Sequence, residues 1–253
     1  MGLSSASIAA KTSLLLVDET GIRWSVPEMC KWINAATNEL VMLKPTALTA
    51  NVAVELRPGT KQNLVGATFK DTQSGVSTTI KPIQLLDVSR NLGASGLEDD
   101  AGRAVTGIAR DILDTTLPGW HTVIAGEVQH YAFDPKDPKR FYVYPGTAGN
   151  WHVEVIVSRS PVNALGDDDA TYGTNDIDPE IDDIYEGALV DYCMYRAYLK
   201  DSEHTSNAQR AQWHYEAFRS ALGGKVRSEF TLRPQEKFDS TTTRSRQPTQ
   251  QES

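Results

Sequence analysis

The length, composition and charge of the chain exclude several classes of protein. Its 253 residues are 40% hydrophobic and 23% charged, which is typical of a folded globular protein with one large or two small domains. A formal net charge of −8 argues against a protein that grips DNA through its phosphates. Two cysteines are too few for a disulfide framework or a cysteine-based zinc cluster.

No apolar run reaches the roughly 20 residues that a transmembrane helix needs. The longest run near the start, "LLLV" at Leu14–Val17, is too short for the core of a signal peptide. We therefore expect a protein made in the cytoplasm of its host, without a membrane contact.

Charge is distributed unevenly along the chain. Between Gly166 and Asp191 there are ten acidic residues and no Lys or Arg, whereas between Lys225 and Arg246 there are six basic and three acidic residues. An acidic segment and a basic tail predict contact between copies or with a partner, although two solvated surfaces would give the same pattern.

Residues 25–44 are predicted to form the first helix. Ser25 and Glu28 have the spacing of a capping box, and Pro45 ends the helix because it cannot donate a backbone hydrogen bond. Trp32 lies beside an apolar face whose residues repeat at intervals of three and four: Met29, Ile33, Ala36, Leu40 and Leu43.

Strand patterns extend from Ala47 to about Pro161. Alternating or β-branched residues between turn signals occur in "NVAVEL", "KPIQLLDV" and "WHVEVIV". A short helix fits at Ala109–Asp114.

The stretch "YAFDPKDPKRFYVYPG", from Tyr131 to Gly146, is predicted to form a β-hairpin. Two aromatic strand-like segments flank "DPKDPKR", whose prolines and aspartates favour a loop of about seven residues. The aromatic residues have three alternative uses: cross-strand packing in a core, a platform for a sugar or base, or a protein interface. We expect the charged tip of the loop to meet solvent or a neighbouring molecule: Lys136, Asp137, Lys139 and Arg140.

Residues 178–200 are predicted to form a second helix. Asp178 is in position to be its N-cap, and Pro179 occupies the first helical position. Its broad apolar face includes Ile184 and Leu199.

Residues 206–222 are predicted to form a third helix, with Trp213 on its inner side and Gly223-Gly224 ending it. The short link between the second and third helices predicts an antiparallel helical hairpin. The polar tail that follows is too low in apolar content to form a core of its own.

Motifs of catalysis and cofactor binding are absent from the sequence. It has no phosphate-binding glycine loop, no Gly-x-Ser-x-Gly elbow and no His-x-x-x-His pair. The acidic stretch does not match the calcium-binding loop of an EF-hand. We therefore expect no catalytic residue, no cofactor and no metal site.

Three segments together resemble the head-to-tail adaptor family of tailed bacteriophages, in the order of that family. The first is "DETGIRWSVPEMCKWINAATNELVMLKP". The second is "LLDVSRNLG" with "GRAVTGIARDILDTTLPGWHT", and the third is "FDPKDPKRFYVYP" with "IYEGALVDYCMYRAYLKDSEHTSNAQRAQWHYEAF". The likeness departs at Ala164–Asp178 and after Gly224.

The resemblance implies a structural, non-enzymatic role in the virion at the head–tail junction. Such adaptors form rings, commonly twelve-fold, that bind the portal protein, give the tail proteins a docking surface and continue the DNA channel. Packaged DNA would pass through an acidic ring without sequence-specific binding. The alternatives are a tail-tube or tail-completion protein and, in another class, a virion-associated glycan-binding or glycan-hydrolysing protein.

The sequence and the resemblance together predict an α+β chain with three parts. Residues 1–46 and 178–223 would form a helical bundle of one N-terminal and two C-terminal helices, residues 47–177 an inserted β-rich domain, and residues 224–253 an extended arm. The arm's candidate contacts with a partner are apolar and basic residues: Lys225, Arg227, Phe230, Leu232, Arg233, Lys237, Phe238, Arg244 and Arg246.

Overall fold

The computed structural model describes residues 3–133, 136–162, 179–201 and 205–232, and in the last range it describes side chains for 206–223. Within these residues the chain is α+β, with five α-helices and two β-sheets. The helices are α1 (Ser5–Leu16), α2 (Val26–Leu43), α3 (Arg110–Thr116), α4 (Glu186–Lys200) and α5 (Thr205–Leu232).

All strands of the described residues lie between the second and fourth helices. They are β1 (Thr49–Leu56), β2 (Gly59–Asn63), β3 (Phe69–Lys70), β4 (Ser77–Thr78), β5 (Pro82–Asn91), β6 (Thr106–Gly107), β7 (His130–Phe133), β8 (Arg140–Thr147) and β9 (Trp151–Arg159). The first sheet has the antiparallel order β4-β3-β1-β9-β5. The second has the order β2-β8-β7-β6, in which β6 and β7 are parallel.

The two sheets share one apolar core. On β1 and β9, Val52 is paired with Val155 and Val54 with Val153, and the side chains of these residues are buried together. Phe141 from β8 belongs to the same group of buried residues. Because alternate residues of these strands are apolar, each sheet has one apolar face, and the apolar faces of the two sheets pack against each other.

A second core joins four of the helices. Ile8 of α1, Ile33 of α2, Leu189 of α4 and Phe218 of α5 are fully buried in it. The helix α4 packs between α1 and α5 and buries residues on more than one side, whereas α2 buries one stripe at helical spacing.

The helices α4 and α5 form the antiparallel hairpin that the sequence predicts. Aromatic ring centroids lie 5.2 Å apart between Tyr192 and Phe218 and 5.7 Å apart between Tyr198 and His214. The contacting residue has a higher number on α4 where its partner has a lower number on α5, so the two helices run in opposite directions.

The start of α2 differs from the prediction. The helix begins at Val26, and Ser25 makes no side-chain capping bond, so the predicted capping box is wrong. The physical reason is that the Glu28 carboxylate accepts a hydrogen bond from Lys200 at 2.6 Å instead of turning back to the helix N-terminus.

The start of α4 also differs from the prediction of a helix from residue 178. The α-helix begins at Glu186, after a 3-10 turn at Asp183–Tyr185 that the Asp182 carboxylate caps by accepting from the Ile184 N–H. The predicted N-cap, Asp178, lies outside the described residues. Two predicted core positions are wrong, because the side chains of Ile184 and Leu199 are 55% and 44% exposed.

The largest difference from the predicted helix boundaries is at the end of α5. The helix passes through Gly223-Gly224 and continues to Leu232, so the first residues of the predicted extended arm are helical. Glycine lowers helix stability by about 1 kcal/mol relative to alanine but still adopts helical dihedral angles, and every residue beyond it adds another backbone bond. On the same helix Trp213 is exposed, contrary to its predicted inner position.

Candidate interaction surfaces

The aromatic hairpin is formed by β7 and β8. Tyr131 is paired with Val143 and Phe133 with Phe141, so these four side chains share one face, and the predicted hairpin is confirmed. Phe141 and Val143 are fully buried between the sheets. Half of this face therefore serves the core.

The opposite face of the hairpin packs against the segment that follows α3. The buried Trp120 donates its indole N–H to Asp114 at 2.8 Å and meets the Tyr142 ring edge-on at 5.9 Å. The Arg110 guanidinium lies 4.8 Å from the centre of the Tyr142 ring. These aromatic groups are used in contacts within the chain.

The charged residues of the hairpin loop lie at the surface. Lys136 and Arg140 are exposed, whereas Asp137 and Lys139 are half-buried. Arg140 and Asp137 form an ion pair at 3.3 Å within the loop. The surface position agrees with the prediction, and what this tip contacts stays a prediction.

Backbone groups anchor the same loop to the sheets. The Pro138 carbonyl accepts a hydrogen bond from the Leu85 N–H at 3.0 Å, and the Lys139 carbonyl accepts one from the Leu64 N–H at 2.9 Å. Main-chain hydrogen bonds therefore attach the loop to the sheets.

An open groove of about 420 Å³ lies between β5 and the hairpin. Its described lining contains no carboxylate and consists of Gln84, Leu85, Leu86, Tyr131, Phe133 and Pro138. Hydrolysis of a glycosidic bond needs two carboxyl groups facing the sugar. Among the residues that the structure describes, the lining of this groove therefore lacks the groups that the glycan-hydrolase alternative requires.

Three acidic residues in the described part of the acidic segment have side-chain partners within the chain. Glu180 accepts from Arg159 at 2.5 Å, and Asp191 lies 3.0 Å from the His214 Nδ1. Glu186 accepts from Lys11 at 2.5 Å and from Ser7, and these hydrogen bonds hold the pKa of its carboxyl below the usual value. The remaining acidic residues of the segment, within 163–178, lie outside the description.

A surface that the sequence reading missed lies on α1. Leu14 and Leu15 of α1 are exposed, and so are Val17 and Ile22 in the segment that follows it, by 90% and 88%. An open groove of about 460 Å³, here called the α1 groove, is lined by Ala6, Ala9, Ala10, Ser13, Leu14, Glu19 and Val26. The local sequence signal for α1 is Ser4, whose side chain caps the start of the helix by accepting a hydrogen bond from the Ala6 N–H.

The predicted contact residues of the arm fall into two groups. Lys225, Arg227, Phe230 and Leu232 belong to the last turns of α5. The others lie outside the described residues: Arg233, Lys237, Phe238, Arg244 and Arg246.

Groups with catalytic or metal-binding potential are not clustered in the part of the chain that the structure describes. There, no three His, Cys, Asp or Glu side chains are grouped as a metal site would require, and no helix is long and apolar enough to cross a membrane. Both cysteines are buried, and burial raises the pKa of the Cys193 thiol to about 12. A thiol with this pKa is a poor nucleophile at neutral pH.

Comparison with known proteins gives the family. A search among curated proteins finds no matching sequence. The family model described as "SU10 adaptor protein" matches residues 4–245, which is nearly the whole chain. The chain therefore belongs to the SU10 adaptor protein family, a phage head-to-tail adaptor family, and is a structural adaptor protein of the virion.

Proposed function

We propose that this adaptor is one subunit of a closed ring, of about twelve copies, that joins the portal protein to the tail and continues the DNA channel. The observation that carries the proposal is the family match over residues 4–245. The net charge of −8 supports it, because an acidic wall repels DNA phosphates and lets the genome slide during packaging and ejection.

We also propose that the two parts of the chain, each with its own core, have different roles. The helical bundle of residues 1–46 and 178–223 would build the ring, and the inserted β-rich domain of residues 47–177 would extend from it. The separate groups of buried residues support this division. Leu48, at the start of the β-rich domain, is buried with the helices and connects the two parts.

The C-terminal segment 224–253 is proposed to bind a neighbouring subunit, the portal or the tail. Its six basic residues complement acidic surfaces, and Phe230 and Phe238 would be apolar anchors. Ordering such a segment costs about 1–2 kcal/mol per residue in backbone entropy, so it needs a long contact surface.

Electron microscopy of portal–tail complexes purified from phage particles tests the proposal. We expect a ring of this protein in direct contact with the portal on one side and the tail on the other, with the DNA path through its centre. Density for the protein along the tail tube, or glycan cleavage by the purified chain, would contradict the proposal.

A further inference from the structure

We infer that neighbouring copies in the ring bind each other by inserting Trp213 of one copy into the α1 groove of the next. The inference rests on the proposed ring and names the two surfaces that meet in it. Every copy of a closed ring presents one surface to one neighbour and a different, complementary surface to the other neighbour. The two surfaces must therefore lie on different sides of the subunit.

Trp213 has the properties of an interface anchor. Its side chain is 59% exposed on the outer face of α5, whereas Phe218 and Leu222 of the same helix are buried. Its outward neighbours one turn away, Gln209 and Ala217, are exposed polar or small residues that do not cover it. Tryptophan is among the residue types that contribute most to binding when an interface buries them.

The α1 groove has the size and lining to receive this side chain. Its volume is about 460 Å³, and its wall includes three alanines, which leave room for an indole ring. Val17 and Ile22, in the segment that follows α1, are 90% and 88% exposed. A tryptophan buries about 150–250 Å² when it is enclosed.

The two surfaces lie on opposite sides of α4. Glu186 and Cys193, seven residues apart, contact α1. Asp191, Tyr195 and Tyr198 contact α5. Two residues turn an α-helix by about 200°, so Tyr195 lies across the helix axis from Cys193. The subunit therefore presents α1 to one side and α5 to the other, as a ring contact requires.

The directions of the helices fix how they would meet. Residues of α1 contact Glu186 at the start of α4, and Arg23, which follows α1, forms an ion pair with Asp201, which follows α4. The helix α1 thus runs with α4, whereas α5 runs against it. We take the axis of the proposed ring to run along the helices; rotation about it preserves these directions, so α5 of one copy would lie antiparallel to α1 of the next.

This antiparallel arrangement brings opposite charges together at one end of the contact. Arg210 is exposed on α5 about one turn before Trp213, and Glu19 lines one end of the α1 groove. Arg210 would face Glu19. Such exposed pairs determine register and partner choice more than affinity. Lys11 of α1 and Glu216 of α5 have partners within their own subunit, Glu186 and Gln212.

Cross-linking in assembled particles tests the contact. The native cysteines are buried, so a short bis-maleimide reagent would report on introduced ones. A chain with both Ala10→Cys and Ala217→Cys should give a ladder of covalent multimers, because each copy links to two neighbours. Each single variant should give no ladder. A matched control pairs Ala10→Cys with Val76→Cys, at a position on the β-rich part that is 63% exposed, and should also give none.

The outcomes separate this inference from the proposed function. A ladder of covalent multimers supports both the Trp213 contact and the proposed ring. Absence of cross-linking in particles that hold the protein between portal and tail would overturn the Trp213 contact and leave the ring intact. Covalent dimers alone would indicate a two-fold contact and would overturn the inference. Absence of the protein from the head–tail junction would overturn the proposed function instead.

Competition between variants gives a second test that does not depend on cross-linking. When Trp213→Ala and wild-type chains are produced together, we expect the variant to be depleted from particles about tenfold or more, because loss of an interface anchor weakens association by at least that factor. Ile184→Ala, another exposed apolar position, should be incorporated normally. Arg210→Glu should be depleted, and combination with Glu19→Arg should restore it. Equal incorporation of Trp213→Ala and wild type would overturn the inference.

Discussion

Lys70 and His152 lie side by side in the first sheet, with 3.1 Å between the Lys70 Nζ and the His152 Nε2. His152 is buried, and the Gly96 backbone lies against its ring so closely that a Cβ at that position would be 2.8 Å from it. Burial, followed by the positive charge of Lys70, lowers the pKa of His152, while Glu55 opposes this shift. The neutral ring accepts a hydrogen bond from the lysine, and a protonated ring could not.

This pair predicts a loss of stability as the pH falls. In the unfolded chain His152 titrates near its ordinary pKa of 6.5, and in the folded protein it titrates lower. As the pH falls, the unfolded state therefore takes up the proton first. The contribution of neutral His152 to the free energy of unfolding is complete above about pH 6.5 and declines below it.

Chemical unfolding between about pH 7 and pH 5 measures this decline. We expect His152→Gln to flatten the pH dependence and Lys70→Met to reduce it. His121→Gln, at an exposed position, is the matched control. An equally steep pH dependence in His152→Gln would show that another group is responsible.

A second prediction concerns Asp18, which organises the link between α1 and α2. Its carboxylate accepts hydrogen bonds from the backbone N–H groups of Ile22, Arg23 and Trp24 at 2.9–3.0 Å. The bond from Trp24 is the main reason why the pKa of Asp18 lies below 3.8, with burial opposing the shift. We expect Asp18→Ala to lower the thermal unfolding midpoint, because three N–H groups lose their acceptor.

The stabilising contribution of Asp18 should be present above about pH 4 and disappear as the pH falls through its lowered pKa. Glu19→Ala, at the adjacent exposed position, is the control and should leave the midpoint unchanged. If Asp18→Ala and Glu19→Ala unfold at the same temperature, the carboxylate does not hold the link.

The core at the α4–α5 contact gives a third prediction. Phe218 is fully buried, with its ring centroid 5.2 Å from that of Tyr192 and 6.2 Å from that of Tyr215. Replacing it by alanine leaves a cavity, so we expect the free energy of unfolding to fall by about 3–5 kcal/mol. Trp213→Ala, on the exposed face of the same helix, should change it by about 0.5 kcal/mol or less. Denaturant unfolding compares the two, and similar losses would mean that Trp213 is packed in the core.

The hairpin loop gives a fourth prediction. Replacing Lys136, Lys139 and Arg140 together by serine should leave cooperative unfolding intact, because the bonds from Leu85 and Leu64 to the carbonyls of residues 138 and 139 do not depend on these side chains. Circular dichroism on heating measures this. A broad, non-cooperative transition would mean that the charged side chains support the sheets.

The sequence predicts the regular parts of this fold because their periodicity is strong. Met29, Ile33, Ala36 and Leu40 recur at helical spacing in α2 and are all buried. The alternation in "WHVEVIV" places Val153, Val155 and Val157 in the core between the sheets.

The parts that the sequence reading missed have weak or misleading local signals. The buried face of α1 consists of Ser5, Ile8, Ala9 and Thr12, a pattern without the large apolar residues that mark a helix stripe. Trp213 was expected to face inward because large aromatic side chains are usually buried, and only the packing of α5 on α4 shows that it faces solvent. The candidate contact between Trp213 and α1 could therefore not be predicted from local sequence.

The last prediction concerns the C-terminal segment and uses the observed length of α5. Among the side chains of α5 that the structure describes, which end at Gly223, Phe218 and Leu222 are the last ones buried in the helical core. We expect deletion of residues 225–253 to leave the unfolding midpoint of the isolated chain nearly unchanged and to abolish incorporation beneath the portal. Deletion of 233–253 alone keeps the whole of α5 and tests whether the helical turns or the residues after them make the contact. Both truncations are measured by thermal unfolding and by the amount of protein in purified particles. Infectious particles at normal yield from the longer deletion would show that the segment is dispensable.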